Sequence, residues 1–124
     1  MSKTVIQTKS VYDPQSKSDG YRIIVVHQWP AGLQRGKASG VDWMKSLGPG
    51  EGLRKWMAKN PRKVGTFTDK YLAELAHNDA AINKVSAMHA RYGTVTVLSV
   101  PAFDQYFPIA DTLTKFLAAT CDLS

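Results

Sequence analysis

A histidine, a glutamine and a tryptophan stand at the end of an apolar run. Residues 23–26 are Ile-Ile-Val-Val, and His27, Gln28, Trp29 and Pro30 follow directly. An imidazole can move a proton near neutrality, and an indole buries area while keeping one N–H donor. A β-branched run that stops in such residues predicts a buried strand delivering them to its C-terminal end. In open α/β sheets that end is where ligands bind. Tyr12-Asp13-Pro14 and Asp104-Gln105-Tyr106 follow two other predicted strands. If the strands are parallel, all three sets reach one rim. The candidate ligand-binding set is therefore Tyr12, Asp13, His27, Trp29, Asp104 and Tyr106. It is chosen by topology and not by a motif, and it names no catalytic residue. His27 has no carboxylate near it in sequence, and Asp13 or Asp104 would have to supply one across the rim. The plainer reading is a loop histidine bonded to backbone.

A second group could attract anions. Arg54, Lys55, Lys59, Arg62 and Lys63 form the densest basic cluster, beside a helix break at Asn60-Pro61. An exposed helix N-terminus there would add to the attraction for phosphate or a nucleic-acid backbone. A solvated basic face is the plainer account, because charge runs are not specific. His77 and His89 lie too far apart for the i, i+4 spacing of a helical zinc pair, so no metal and no cofactor are expected. Cys121 is the only cysteine, which excludes an internal disulfide and a multi-cysteine zinc site. The glycines of 48–52, Gly-Pro-Gly-Glu-Gly, match neither a dinucleotide fingerprint nor a P-loop. Trp29 and Trp56 suit either a pocket wall or a core anchor.

The elements that must position these groups follow from periodicity. Residues 3–9 alternate apolar and polar, as a strand does. Residues 12–20 are rich in Pro, Ser, Asp and Gly and read as a loop. Residues 22–26 form the second strand, without alternation, which suggests burial on both faces. Residues 30–40 read as loop and 41–47 as a short helix stopped by Gly48-Pro49-Gly50. Residues 51–59 form a helix with Leu53, Trp56 and Met57 on one face. Asn60-Pro61 reads as the start of the next helix, with Val64, Phe67, Tyr71, Leu72 and Leu75 inward. Another helix starts at Asn78-Asp79, carries Ile82, Val85, Met88 and His89, and stops at Gly93. Residues 94–100 form the third strand, 101–107 a loop, and 108–119 a last helix with Ile109, Leu113, Phe116 and Leu117 toward the sheet. Strands separated by helices predict an α/β domain with a mainly parallel sheet. The direction of the first strand relative to the second is open.

The whole composition agrees with one domain over residues 1–124. Apolar residues make up 44% and charged residues 21%, which is ordinary for a globular chain. Lys and Arg number 16 against 10 Asp and Glu, a net charge of +6 that favours anionic partners. No stretch has the ~20 apolar residues a membrane span needs. The N-terminal residues lack the apolar core of a signal peptide. A cytoplasmic protein with no membrane partner is the expectation.

Five segments also carry a family likeness. They are VYDP at 11–14, YRIIVVHQWPAGL at 21–33, LRKWM at 53–57, KYLAEL at 70–75 and VTVLSV at 95–100. In order and spacing the chain resembles a divergent member of the YeaO-like branch of the domain of unknown function 488 family. The likeness covers nearly the whole chain. It implies a small, mainly parallel three-layer sheet domain of flavodoxin-like or Rossmann-like character, with about three core strands and helices. It implies no established activity. Resembling members read V-D-R-L-W-P-R-G-L where this chain reads Val25-Val26-His27-Gln28-Trp29-Pro30-Ala31-Gly32-Leu33. The acid is replaced by Val26, and the two arginines by His27 and Ala31. After the third strand such members carry an acid and two histidines, whereas residues 101–111 hold no histidine. Trp29, Pro30, Gly32, Arg54, Lys55 and Trp56 are the positions that transfer.

Three functional readings follow. The first is binding of a small anionic ligand at the strand ends, without the family's charged set for catalysis. The second is non-specific nucleic-acid association or regulation through the basic face. The third is a homodimer or other interaction protein using the aromatics Phe103, Tyr106 and Phe107.

Overall fold

A computed structural model describes residues 5–30, 32, 40–104 and 107–121. Four parallel strands form one sheet in the order β1-β4-β2-β3. They are β1 (Val5–Ser10), β2 (Tyr21–Ile24), β3 (Asp42–Trp43) and β4 (Thr94–Ser99). The helices are α1 (Glu51–Lys59), α2 (Val64–Ala76), α3 (Asp79–Tyr92), α4 (Pro101–Asp104) and α5 (Ile109–Cys121). The α/β reading and the parallel sheet are thus seen, and β1 runs parallel to β2 with β4 between them. The strand at the centre is the one richest in β-branched residues. Val95, Thr96, Val97 and Leu98 of β4 are all buried, as a strand covered on both faces requires.

The two faces of the sheet differ. Ile23, Val95 and Val97 share one face and join the main core. That core takes Leu53 from α1, Phe67, Tyr71 and Leu75 from α2, Ile82 and Val85 from α3, and Leu113 and Leu117 from α5. The predicted stripes of α2, α3 and α5 therefore point where their spacing said, except that Val64 is exposed and Met88 is half-buried outside the core. The other face carries Ile24 and Leu98, packed with Val11, Val26 and Val100 and flanked by Trp29, Val41, Trp43 and Phe103.

Beside this smaller cluster a polar row crosses three strands. Gln7 lies opposite Thr96, and Thr96 opposite Arg22. Gln7 Nε2 donates to Thr96 Oγ1 at 3.0 Å, and Thr96 Oγ1 donates to the Asp19 carbonyl at 2.7 Å. The Asp19 carboxylate, 1% exposed, pairs with Lys9 at 2.9 Å and Arg22 at 3.6 Å. Burial alone would push the Asp19 pKa up, but the Ser16 N–H and the Lys9 ammonium prevail and hold it below the usual value. Asp19 also closes a capping box with Ser16 around a single 3-10 turn, Lys17–Asp19. Gly20 follows with φ +62°, and a Cβ there would lie 2.3 Å from the Thr94 carbonyl oxygen. The turn therefore lets the chain enter β2 hard against β4.

Four local expectations are corrected. Residues 41–47 are not a helix: Asp42 and Trp43 pair with Ile23 and Ile24, and a 3-10 turn, Lys45–Leu47, follows. The ladder wins because Met44 N donates to Ile24 O at 2.8 Å and the Trp43 indole donates to Val26 O at 2.7 Å. The second strand ends at Ile24, so Val25 and Val26 are buried beyond the ladder. Asn60 does not start a helix but ends α1, its side-chain amide donating to Trp56 O at 2.9 Å. α2 then starts at Val64. The stretch after β4 is not all loop, because Pro101, whose ring suits a first helical position, opens the single turn of α4.

Candidate functional site

The parallel order brings the three predicted rim segments to the C-terminal edge of the sheet. They do not converge there as one set. Asp13 closes the turn after β1: its carboxylate accepts from Ser10 N at 3.1 Å, and its own N–H donates to Ser10 O at 3.0 Å. Tyr12, 56% exposed, stands on the same turn. Trp29 sits edge-on to Trp43 with ring centroids 5.2 Å apart, against the smaller apolar cluster. Tyr106 lies outside the described residues.

Asp104 faces inward. Its carboxylate accepts from Val100 N at 2.7 Å, from Ser99 Oγ at 3.3 Å and from Ala110 N at 2.9 Å. It thereby clamps the end of β4 to the first turn of α5. Burial pushes its pKa above the usual carboxylate value, and the donors Ala110, Val100 and Ser99 pull the other way without prevailing.

One cavity does lie at this edge. It measures about 140 Å³ and is walled by Val26, Pro49, Met57, Phe103 and Ile109. His27 and Arg54 are its polar members. The strand that leaves the ladder at Ile24 supplies Val26 and His27. The Gly48-Pro49-Gly50 stop supplies Pro49, and α1 supplies Arg54 and Met57 three residues apart on one face. Gly48 permits this approach, because a Cβ there would lie 2.1 Å from the Val25 carbonyl oxygen. The cavity thus joins one residue from each sequence-derived set, His27 from the rim and Arg54 from the basic cluster. Sequence reasoning missed Pro49 and Met57 as walls. The shared helical face of Leu53, Trp56 and Met57 was the available signal for the second.

The polar pair has a defined electrostatic character. Arg54 Nη1 donates to Pro49 O at 2.8 Å, which fixes one arm of the guanidinium. Arg54 makes no ion pair among the described residues. His27 stands edge-on to Phe103, centroids 5.2 Å apart, and has no hydrogen-bond partner among the described residues. Burial lowers the His27 pKa, and the charges of Arg54 and Lys45 lower it further. The imidazole is therefore neutral at neutral pH in a positive local field. An anion placed there would be welcomed by Arg54 and would reverse the field at His27.

The rest of the basic cluster stays apart from the cavity. Lys55 pairs with Glu51 at 3.3 Å, both side chains exposed. Lys59, Arg62 and Lys63 are exposed and make no ion pair among the described residues. His77 ends α2 in an exposed position, and His89 is buried at 5% exposure. No described helix is long and apolar enough to cross a membrane.

Comparison with known proteins adds a family. A family model described as the inactive DUF488-N3 subclade matches residues 5–122. The uncharacterized protein YeaO of Escherichia coli strain K12 is 42% identical over 74 residues, 60% of this chain and 64% of that protein. The aligned part therefore spans less than two thirds of that relative's length. Uncharacterized proteins of Mycobacterium tuberculosis and Mycobacterium bovis are 28% identical over 89 residues, 72% of this chain and 75% of each relative. No solved structure matches the chain.

Proposed function

The chain belongs to the inactive DUF488-N3 subclade, and on that premise we propose that it binds a small anionic ligand at the strand C-terminal edge without catalysing a reaction. The observation that carries this is the cavity in which Arg54 and His27 are the polar groups on an apolar wall. A guanidinium with one arm anchored presents its remaining N–H groups as a fixed fork for a two-oxygen anion. A neutral imidazole beside it already offers one N–H, and both ring nitrogens donate once the anion raises its pKa.

Two features argue against catalysis. His27 has no carboxylate partner among the described residues to orient it as a base. Asp104, the acid nearest in the chain to the cavity wall, is committed to two backbone N–H groups and a hydroxyl. The subclade's description as inactive points the same way.

The test is an NMR titration read at the His27 ring. Acetate, sulfate and phosphate are added to the wild type and to Arg54→Gln. Saturable shifts at His27, a raised His27 pKa in the bound state and loss of both in Arg54→Gln are expected. Shifts that are identical in the two proteins, or absent in both, would reject the site.

A further inference from the structure

The cavity at Arg54 and His27 does not stand alone. Met57 and Phe103 wall it and also wall a second hollow of about 300 Å³. The other residues of that hollow are Ala58, Pro61, Ala102 and Phe107. None of these side chains bears a charge or a hydrogen-bonding group. An ionic group gains nothing there, whereas hydrocarbon gains the free energy of leaving water. Polarity therefore changes sharply between two hollows that share Met57 and Phe103, from a guanidinium and an imidazole to a lining that is apolar among the described residues. Met57 lies at the join, and a thioether side chain adapts to irregular apolar partners.

We infer that the ligand is an amphiphilic monocarboxylate, with its head on Arg54 beside His27 and its apolar tail running over Met57 and Phe103 between α1 and α4. The inference rests on the anion-binding reading above and adds the ligand's class to it. The head cavity supports a carboxylate in two ways. At about 140 Å³ it takes a small group and not a protein surface. It also holds one guanidinium, held through Nη1 on Pro49 O, whose remaining N–H groups can pair with one planar carboxylate.

Propionate, hexanoate and octanoate, with hexanol as the uncharged control, are titrated by NMR and calorimetry into the full chain. Affinity should rise about fourfold for each methylene that enters the second hollow. Hexanol should bind at least tenfold more weakly than hexanoate. Ala102 and Ala58 are both exposed, so each tolerates an aspartate. Ala102→Asp should remove the dependence on chain length, and Ala58→Asp repeats the test on α1. Arg54→Gln should weaken every acid. Propionate binding with no gain for octanoate would overturn the tail and leave the anion site standing. Failure of every acid would overturn both. Concentration-dependent dimerisation that Ala102→Asp abolishes would assign the hollow to a second copy of the chain and also overturn the inference.

Discussion

Replacing Asp104 with alanine strips two sealed backbone N–H groups of their acceptor. Val100 and Ala110 are 1% and 3% exposed, so water does not readily replace the carboxylate. An unsatisfied buried donor costs about 1–3 kcal/mol, and two cost about 2–6 kcal/mol. Ser99 is half-buried and its hydroxyl can turn to water. The substitution also removes a charge that burial disfavours, which offsets part of the loss. The net is about 2–4 kcal/mol, or about 8–15 °C in the unfolding midpoint for a chain of this length. Asparagine separates charge from shape. Its one amide oxygen satisfies one N–H, and its NH2 opposes the other. The pH dependence then decides which influence on Asp104 prevails. With its folded pKa raised above 3.8, the folded protein binds the proton more readily than the unfolded chain. Wild-type stability from this group is full below the unfolded value and is lost as pH rises through the folded one. The asparagine variant has no such titration. The gap between wild type and Asp104→Asn should therefore widen as pH falls from about 7 towards about 4. Urea unfolding followed by circular dichroism measures it. A gap that narrows in acid would show that the three donors outweigh burial, and would refute the reasoning.

Three further outcomes are expected. The His27 ring should titrate below 6.5, and Arg54→Gln should return part of that shift, though not the part due to burial. Because the folded pKa is lowered, the His27 contribution to stability is full above 6.5 and is lost as pH falls through the folded value. An unchanged NMR midpoint in Arg54→Gln would exclude the field of that residue. Gly48→Ala places a methyl against the Val25 carbonyl oxygen, backbone against backbone, and should cost about 3 kcal/mol by thermal unfolding; a midpoint within error of wild type would show that the strand exit moves freely. If generic duplex DNA binds through Lys59, Arg62 and Lys63, neutralising three phosphates gives a log–log salt slope of about −2.7. A slope twice as steep would bring further basic residues into the interface.

What the sequence disclosed was periodic or local. The stripe of Ile109, Leu113 and Leu117, the β-branched residues of β4 and the glycine stop at Gly93 all rest on neighbours a few positions away, and each is seen. The family likeness was legible too, since aromatic, proline and glycine positions matched together, and the family model covers residues 5–122. β3 was not legible, because two residues hold a strand only where a long-range ladder receives them. Asp19 and Arg22 look like surface charges in sequence, and Asp19 is buried because Lys9, the Ser16 N–H and Arg22 all face its carboxylate. At the site, His27 and Arg54 were legible as residue types but not as neighbours, since they stand on different elements. Asp104 looked like a ligand group, but the chain turning from β4 into α4 leaves backbone donors there that claim it.

The strand order has a consequence for how the protein is made. β1 occupies residues 5–10, yet its ladder partner β4 occupies residues 94–99, and Gln7 and Thr96 lie 89 positions apart. β2 also needs β4 beside it. A nascent chain leaving the ribosome therefore exposes two strands long before their common partner exists, and among the described residues the two of β3 are all that β2 can pair with meanwhile. The uncharged run Ile23, Ile24, Val25 and Val26 waits uncovered through that interval, and such runs drive aggregation. Folding of the sheet is thus a late event in synthesis, triggered by the arrival of its middle. A chain cut anywhere before residue 94 is not a smaller domain but a sheet without its keystone.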